Sequence, residues 1–366
     1  MKIAIIGSRG IPARYGGFET CAERLAIGLK ELGHEIVVYG LSESSKESGL
    51  YKGVKYYNFK APKKKSFQKP ILALKSVIHC LREKADVVLF LGVSAAPFSL
   101  LCRMSKMKTV INLDGLEWKR GKWGKLGRFY LRLSEGIAVR SCHSVIGDSK
   151  ALIDIYKDLY GVESIYIPYG ADVVDSVPFD SLKRYGLKPE GYILQSCRLE
   201  PENNVHFVLE AYHKSRKTLP LVILGDAPQG SRYKESLLKI AGKDVRFLGF
   251  IFGPDYRQIV AHAGLYIHAH EVGGTNPSLL EAMAVGQAPL YLDVPFNREV
   301  AGDVGFPFKK DMIELSSLMD ELIGRITEVR KRAKLARNVI RQRYSWESVI
   351  DEYERVFLRL LKNSHV

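Results

Sequence analysis

Two rounds of alternation constrain this chain more than any other feature. Short apolar runs of strand type are each followed by a stretch with helical spacing, first through residues 3–146 and again through residues 192–292. The first round predicts strands at 3–6, 35–39, 54–59, 87–91, 109–113 and 144–146, with helices over 18–32 and 70–82. The second predicts strands at 192–196, 221–224, 245–248, 265–268 and 289–292. Such alternation implies right-handed crossovers and parallel sheets. Residues 173–190 contain Pro178, Gly186 and Pro189 and read as a linker. The expected class is α/β, with two doubly wound Rossmann-like domains at 1–175 and 190–345 whose parallel sheets face each other across a cleft. Ligands of such sheets bind beyond the carboxyl ends of the strands. The tail from Trp346 is amphipathic.

At 366 residues the chain can build two full cores. Its five cysteines are scattered, odd in number and never in C-x-x-C spacing, which argues against a disulfide framework and for a reducing cytosol. The apolar start is too short for a signal peptide and reads as a first strand. The longest apolar run, 87–102, contains Gly92 and Pro97 and falls short of the ~18 residues that a spanning helix needs.

The net charge of +15 is confined to one half. Residues 1–150 hold 27 lysines and arginines against 12 acidic residues, a surplus equal to the whole net charge. It concentrates at 60–69, with Lys63, Lys64 and Lys65, and at 118–132, with Trp118, Lys119, Arg120 and Trp123. Basic residues interleaved with aromatics suit an anionic membrane surface, where each contributes roughly 1 kcal/mol. They equally suit nucleic acid, or a solvated basic face.

Four stretches carry candidate chemistry. Residues 264–286 read as strand, glycine-rich loop and helix. The loop amides and the positive end of the helix suit a phosphate. His270, Gly273, Gly274, Thr275 and Asn276 lie in that loop, Pro277 fits the first helical turn, and Glu281 lies one turn in. Residues 7–19 follow the first strand and bring Gly16 and Gly17 to the start of a helix, with Arg9, Arg14 and Glu19 nearby. They lack the G-x-G-x-x-G spacing of a dinucleotide site, and a structural turn with surface charges is the alternative. Residues 196–205 follow the first strand of the second half and carry Arg198 and Asn203. Residues 112–123 carry Asp114 and Glu117, suited to orient an acceptor hydroxyl, accept its proton or bond a sugar. Alternatively Asp114 caps a turn and Glu117 pairs with Lys119 or Arg120. His268 and His270 have no cysteine near them, and no D-x-D pair exists, so no metal is expected.

Glu281, Ala282, Met283, Ala284 and Gly286 resemble the second half of the signature of retaining glycosyltransferases of the GT-B fold, family 4. Gly273 stands where that pattern has its first glutamate, and Asn203 where it has a lysine five residues past the arginine matched by Arg198. Val272 to Glu281 and Asp114 to Arg120 are similar to a bacterial rhamnosyltransferase subgroup. The resemblance implies a C-terminal helix, 346–366, that crosses back to the first domain. It implies a nucleotide-diphosphate sugar donor (dTDP-, UDP- or GDP-linked), no separate cofactor, and retention of anomeric configuration. Arg198 and the loop amides, with the Gly16 and Gly17 amides, would hold the leaving diphosphate, and Glu281 the donor ribose. Joined to the basic first domain, it points to a polyprenyl-diphosphate-linked saccharide acceptor, no nucleic acid, and a cytoplasmic enzyme peripheral on the inner face of the plasma membrane. Cell-surface polysaccharide, O-antigen or capsule synthesis follows, with rhamnose from dTDP-rhamnose as the expected sugar. The rivals are a nucleotide-sugar 2-epimerase and a non-enzymatic nucleic-acid or membrane-binding protein.

Overall fold

A computed structural model describes the chain from Met1 to Lys362, apart from residues 14–15, 43–46, 61, 63–64, 114, 120–122, 217 and 228 and the side chains of 65–67. The chain divides into two units, Met1–Tyr169 with Trp346–Val366, and Gly170–Ser345.

The first unit is built on β1 (Lys2–Ile6), β2 (Glu35–Ser42), β3 (Glu47–Tyr51), β4 (Val54–Lys60), β5 (Val87–Leu91), β6 (Lys108–Leu113), β7 (Ser144–Gly147) and β8 (Ile165–Tyr166). Their order is β3-β4-β2-β1-β5-β6-β7-β8. β1 lies parallel between β2 and β5, with Ile3 level with Ile36 and Val87. All five residues of β5 are buried apolar ones, as a strand covered on both faces requires. The sheet is parallel except at β3, an antiparallel edge strand that the alternation did not predict. Lys52 and Gly53 join β3 to β4 with φ of 47° and 76°, a two-residue turn with both residues left-handed.

Five helices follow in this unit: α1 (Gly17–Glu31), α2 (Lys65–Glu83), α3 (Ser99–Met104), α4 (Lys125–Ser141) and α5 (Lys150–Tyr160). The C-terminal helix Trp346–Lys362 belongs here too. It buries Trp346, Val349, Tyr353, Val356 and Phe357, one helical stripe. Gly28 on α1 admits it closely, since a Cβ there would stand 2.2 Å from Ile350. His34 and Glu354 bond at 2.6 Å, and Asn112 donates to the Tyr353 hydroxyl.

The second unit has β9 (Ile193–Ser196), β10 (Leu221–Leu224), β11 (Val245–Gly249), β12 (Leu265–His268), β13 (Leu290–Leu292) and β14 (Phe306–Phe308), in the order β11-β10-β9-β12-β13-β14. All its pairs are parallel. Its helices are α6 (Val205–Lys214), α7 (Arg232–Ile240), α8 (Gly253–Ala261), α9 (Pro277–Ala284), α10 (Pro295–Ala301), α11 (Met312–Ile323) and α12 (Ile326–Arg343). Alternate strand residues feed two cores. Ile193, Ile223 and Ile267 enter one, and Leu194, Val222 and Tyr266 the other, as the two-residue period demands.

The expectation of a linker at 173–190 is corrected. Leu182 and Leu187 are buried in the second core, with Val174 and Val177 packed against it. Full burial of such a side chain stabilises by roughly 1.5–3 kcal/mol. Proline and glycine here shape a short 3-10 turn, Asp180–Tyr185, instead of a spacer.

Candidate functional site

Both sheets wind outward from a central pair. In the first unit β1 and β5 are adjacent while the chain leaves them in opposite directions, and in the second β9 and β12 stand in the same relation. Loops at the carboxyl ends of such pairs diverge and leave a crevice for a ligand. The candidate stretches 7–16, 196–204 and 269–276 all lie at these two switch points.

In the second unit the two loops are clipped together. The Asn204 amide donates to the Ala269 carbonyl at 2.9 Å and to Glu271 at 3.2 Å. The Glu271 N–H donates to the Glu202 carbonyl at 3.0 Å, and Asn297 donates to the His270 carbonyl at 2.9 Å. Asn276 caps α9 by accepting from the Ser278 N–H at 3.0 Å, and Pro277 occupies the first turn. The N–H groups of Gly273 and Gly274 donate to nothing among the described residues. They lie just ahead of the positive end of α9, the arrangement that suits a bound anion.

Gly273 has a φ of 152°, a conformation that strains a residue with a Cβ. Glycine in place of the glutamate of the family 4 pattern is therefore matched to the local backbone. The acid nearby, Glu271, faces Lys310 instead at 2.6 Å. Partial burial alone would push its carboxyl up, but Lys310 and Asn204 together outweigh burial and leave it below the usual carboxylate range.

Arg198 lies 3.6 Å from Glu200 and keeps its side chain partly exposed. Asn203 is buried, and its amide donates to the Arg198 carbonyl at 2.7 Å. It therefore shapes the loop that carries the arginine and brings no charge of its own. Glu281 is half-buried, and its charge acts on Tyr256, whose hydroxyl Ser196 reaches at 3.4 Å. Burial, then the charge of Glu281, drives Tyr256 far above its ordinary value, so its hydroxyl stays protonated. Thr275 is buried. His268 is fully buried, and its ring stacks on that of His270 with centroids 4.2 Å apart. Burial takes His268 down to about 3, opposed in part by Asn297, so it is neutral at physiological pH. Among the described residues no three of His, Cys, Asp and Glu converge in a way that could hold a metal ion.

The loop of the first unit is fixed differently. Gly7, with φ of 118°, passes so close to β5 that a Cβ would stand 2.2 Å from the Leu91 carbonyl oxygen. Glu19, for which surface charge is the alternative reading, is buried and accepts from the Arg9 N–H at 2.9 Å. Glu23 accepts from the Ala13 N–H at 2.5 Å. The N-terminus of α1, at Gly16 and Gly17, therefore already has a carboxylate beside it.

Trp118 and Trp123 are partly buried. Trp118 donates to the fully buried Glu135 at 3.1 Å, and Trp123 donates to Glu117 at 3.3 Å. Glu135 also accepts from Tyr156 at 2.8 Å and Tyr160 at 2.7 Å. Burial pushes its carboxyl up, and these donors hold it partly down. Both indoles are thus tied to carboxylates of their own unit. Lys119 stands over the Trp118 ring at 5.5 Å. Asp114, Arg14, Lys63, Lys64, Arg120 and the Lys65 side chain lie outside the described residues. Tyr256, Asn204, Asn297 and Lys310 were not singled out from the sequence. Only Asn204, beside the Arg198 stretch, carried any signal there.

Residues 181–346 match the family described as glycosyl transferases group 1, and residues 1–172 match a domain of unknown function, DUF1972. Over 179 residues the chain is 27% identical to O-antigen chain mannosyltransferase B of Escherichia coli, a stretch covering 46% of this chain and 45% of that protein. The match thus spans about half the length of that curated relative. Sucrose-phosphate synthase from Thermosynechococcus elongatus has the same fold, with a TM-score of 0.85 at 14% identity over 99% of each chain. HepE of Anabaena, in complex with UDP-glucose, has a TM-score of 0.79 at 17% identity over 99% of this chain and 100% of that one. The fold is therefore GT-B, with two parallel-sheet Rossmann-like α/β domains. The match to the glycosyl transferases of group 1 falls on the second unit.

Proposed function

We propose that the chain is a glycosyltransferase that takes a sugar from a nucleoside diphosphate held by the second unit. The observation that carries this reading is the joined pair of loops at the β9–β12 switch point. Unused N–H groups of Gly273 and Gly274, the start of α9 and the Arg198 guanidinium all belong to that crevice. A departing diphosphate needs such preorganised donors and charge. Glu281, half-buried one turn into α9, supplies acceptors for the donor ribose. The reading includes retention of configuration by front-face transfer, with the leaving diphosphate helping to take the acceptor proton and no metal required.

The finer proposal is rhamnose from dTDP-rhamnose and a polyprenyl-diphosphate-linked saccharide acceptor at the cytoplasmic face of a membrane, in cell-surface polysaccharide synthesis. Similarity at 272–281 and 114–120 to the rhamnosyltransferase subgroup supports the sugar. The name of the Escherichia coli relative and the UDP-glucose of the HepE complex make mannose and glucose the rival sugars. The basic surplus of residues 1–150 supports the anionic acceptor.

The test is a thermal-shift screen with UDP, GDP, dTDP and their sugars, in Mg²⁺ and in EDTA. A nucleotide at about 100 times its Kd should stabilise the fold by roughly 2.7 kcal/mol. One responding diphosphate, indifferent to EDTA, names the donor class. No response to any of them removes the proposal, and an epimerised sugar nucleotide formed without acceptor replaces it with the epimerase reading.

A further inference from the structure

The surface charge of the first unit surrounds an apolar stripe that the proposed chemistry does not use. Leu126, Phe129 and Leu133 lie three and four residues apart on α4, so they share one face, and they are 87%, 70% and 53% exposed. On α3, which meets the end of α4 at Ser141, Leu100 and, one turn on, Met104 are also exposed, Met104 at 82%. Between α3 and α4 runs an open groove of about 550 Å³, with Leu100, Leu133 and Ile137 as apolar walls and Arg103, Arg132 and Arg140 among its lining. Arg103 is fixed at one end by its bond to the Ser141 carbonyl at 3.0 Å. Arg132 stands over the Trp118 ring at 5.3 Å.

Among the described residues, no acidic one lines the groove. The only acid on α4 is Glu135, which is fully buried and bonded to Trp118, Tyr156 and Tyr160. A surface of exposed Leu, Phe and Met bordered by arginines and devoid of acids complements a bilayer, with acyl chains below and phosphates above. A protein partner would bring charges of both signs, and this face has nothing to answer a cation.

We propose that the α3–α4 face of the first unit docks on an anionic bilayer. Phe129, Leu126 and Met104 enter the acyl region, and Arg103, Arg132 and Arg140 take lipid phosphates along the groove. Trp118 and Trp123 do not insert, since both indoles are bonded within the unit. The inference deepens the proposed function, on whose lipid-linked acceptor its purpose rests.

The experiment is co-sedimentation of the full chain with vesicles of phosphatidylcholine, with and without phosphatidylglycerol. The wild type should bind only the anionic vesicles and detach as salt rises. The double variants Leu126→Glu/Phe129→Glu and Arg132→Gln/Arg140→Gln should each lower partitioning by about tenfold or more while melting like the wild type. Wild-type protein that stays in the supernatant, or variants that bind as well as it does, would overturn the proposal. So would sedimentation velocity showing a wild-type dimer that the same glutamates dissolve, because the face would then join two copies. Nucleotide titration of the same preparations separates the two readings. Vesicle binding without nucleotide binding sinks the transferase and leaves the docking face, and the reverse does the opposite.

Discussion

The two switch-point loops sit at equivalent places in two similarly wound sheets, yet their hydrogen bonds run in opposite senses. In the first unit carboxylates fix the loop, Glu19 accepting from the Arg9 N–H and Glu23 from the Ala13 N–H. In the second, side-chain amides fix it, Asn204 donating to the Ala269 carbonyl and Asn297 to the His270 carbonyl. Glu19 and Glu23 occupy the Arg9 and Ala13 N–H groups and bring negative charge to the first loop. A loop held by donors keeps N–H groups for a ligand. Under the proposed function the anion falls to the second unit, although that unit, Gly170–Ser345, has a net charge of only +3, from 24 basic and 21 acidic residues, against +12 for the first. Net charge and anion recognition are thus separated. The first unit has long-range surface charge, and the second has a few fixed local donors.

The largest effect expected from this separation is at Arg198. Arg198→Ala should lower turnover by about 10²–10³-fold, the usual result of removing one preorganised charge-stabilising donor. Melting should stay near that of the wild type, because the side chain is partly exposed. Wild-type turnover would remove Arg198 from the donor site. The counterpart in the first unit is Glu19→Ala, which should cost about 1.5–3 kcal/mol in urea unfolding by stripping a charged acceptor from a loop amide. Glu19→Gln keeps an acceptor oxygen and should recover much of that loss. Neither should change nucleotide affinity. A weakened diphosphate titration in Glu19→Ala would contradict the division of labour argued above.

The fold was legible in the sequence because alternation is a repeated signal, and most predicted strands appear within a residue or two of their expected ends. β3 escaped because its pairing rests on a two-residue turn at Lys52 and Gly53, with no special dipeptide to mark it. β14 escaped because three residues, Phe306–Phe308, are too few to show a period. The stretch 173–190 misled because proline and glycine signal a turn without saying whether the turn is packed. At the site, the residues that chemistry makes recognisable (Arg198, Glu281 and the loop glycines) stand at the switch point. Those that position them do so through long-range contacts. Asn297 meets His270 across 27 positions and Lys310 meets Glu271 across 39, distances over which a single sequence carries no pattern.

A smaller effect separates the strands beneath the loops. β5 ends on Leu91, whereas β12 ends on His268, and both are buried. Burial, against a small contribution from Asn297, lowers His268 from 6.5 to about 3. Between those values the unfolded chain binds a proton that the folded chain refuses, so stability must fall as pH falls below 6.5. The slope approaches about 1.4 kcal/mol per pH unit, or about 2 kcal/mol by pH 5. His268→Phe should flatten that part of the profile in chemical unfolding followed at pH 7, 6 and 5. An unchanged slope would mean that His268 is hydrated or paired when the protein is folded.

The smallest expected effect is at Lys310, and it bears on how many cations the anion site has. Lys310 and Glu271 are 45% and 41% exposed, so solvent screens the pair and its loss should cost at most about 1 kcal/mol. Because the folded carboxyl titrates below its usual 4.5, the contribution is complete above that value and is lost as pH falls through the lowered pKa. Lys310→Met should therefore unfold slightly earlier than the wild type at pH 7 and together with it in strong acid. Titration with a nucleoside diphosphate and the matching monophosphate then separates two roles. If Lys310 only holds Glu271, both affinities should follow the small change in stability. If it supplies the cation that Asn203 does not, the diphosphate should weaken about tenfold and the monophosphate much less. The first result would leave Arg198 and the loop amides to hold the diphosphate, and the second would make the donor site a two-cation site assembled from a different strand.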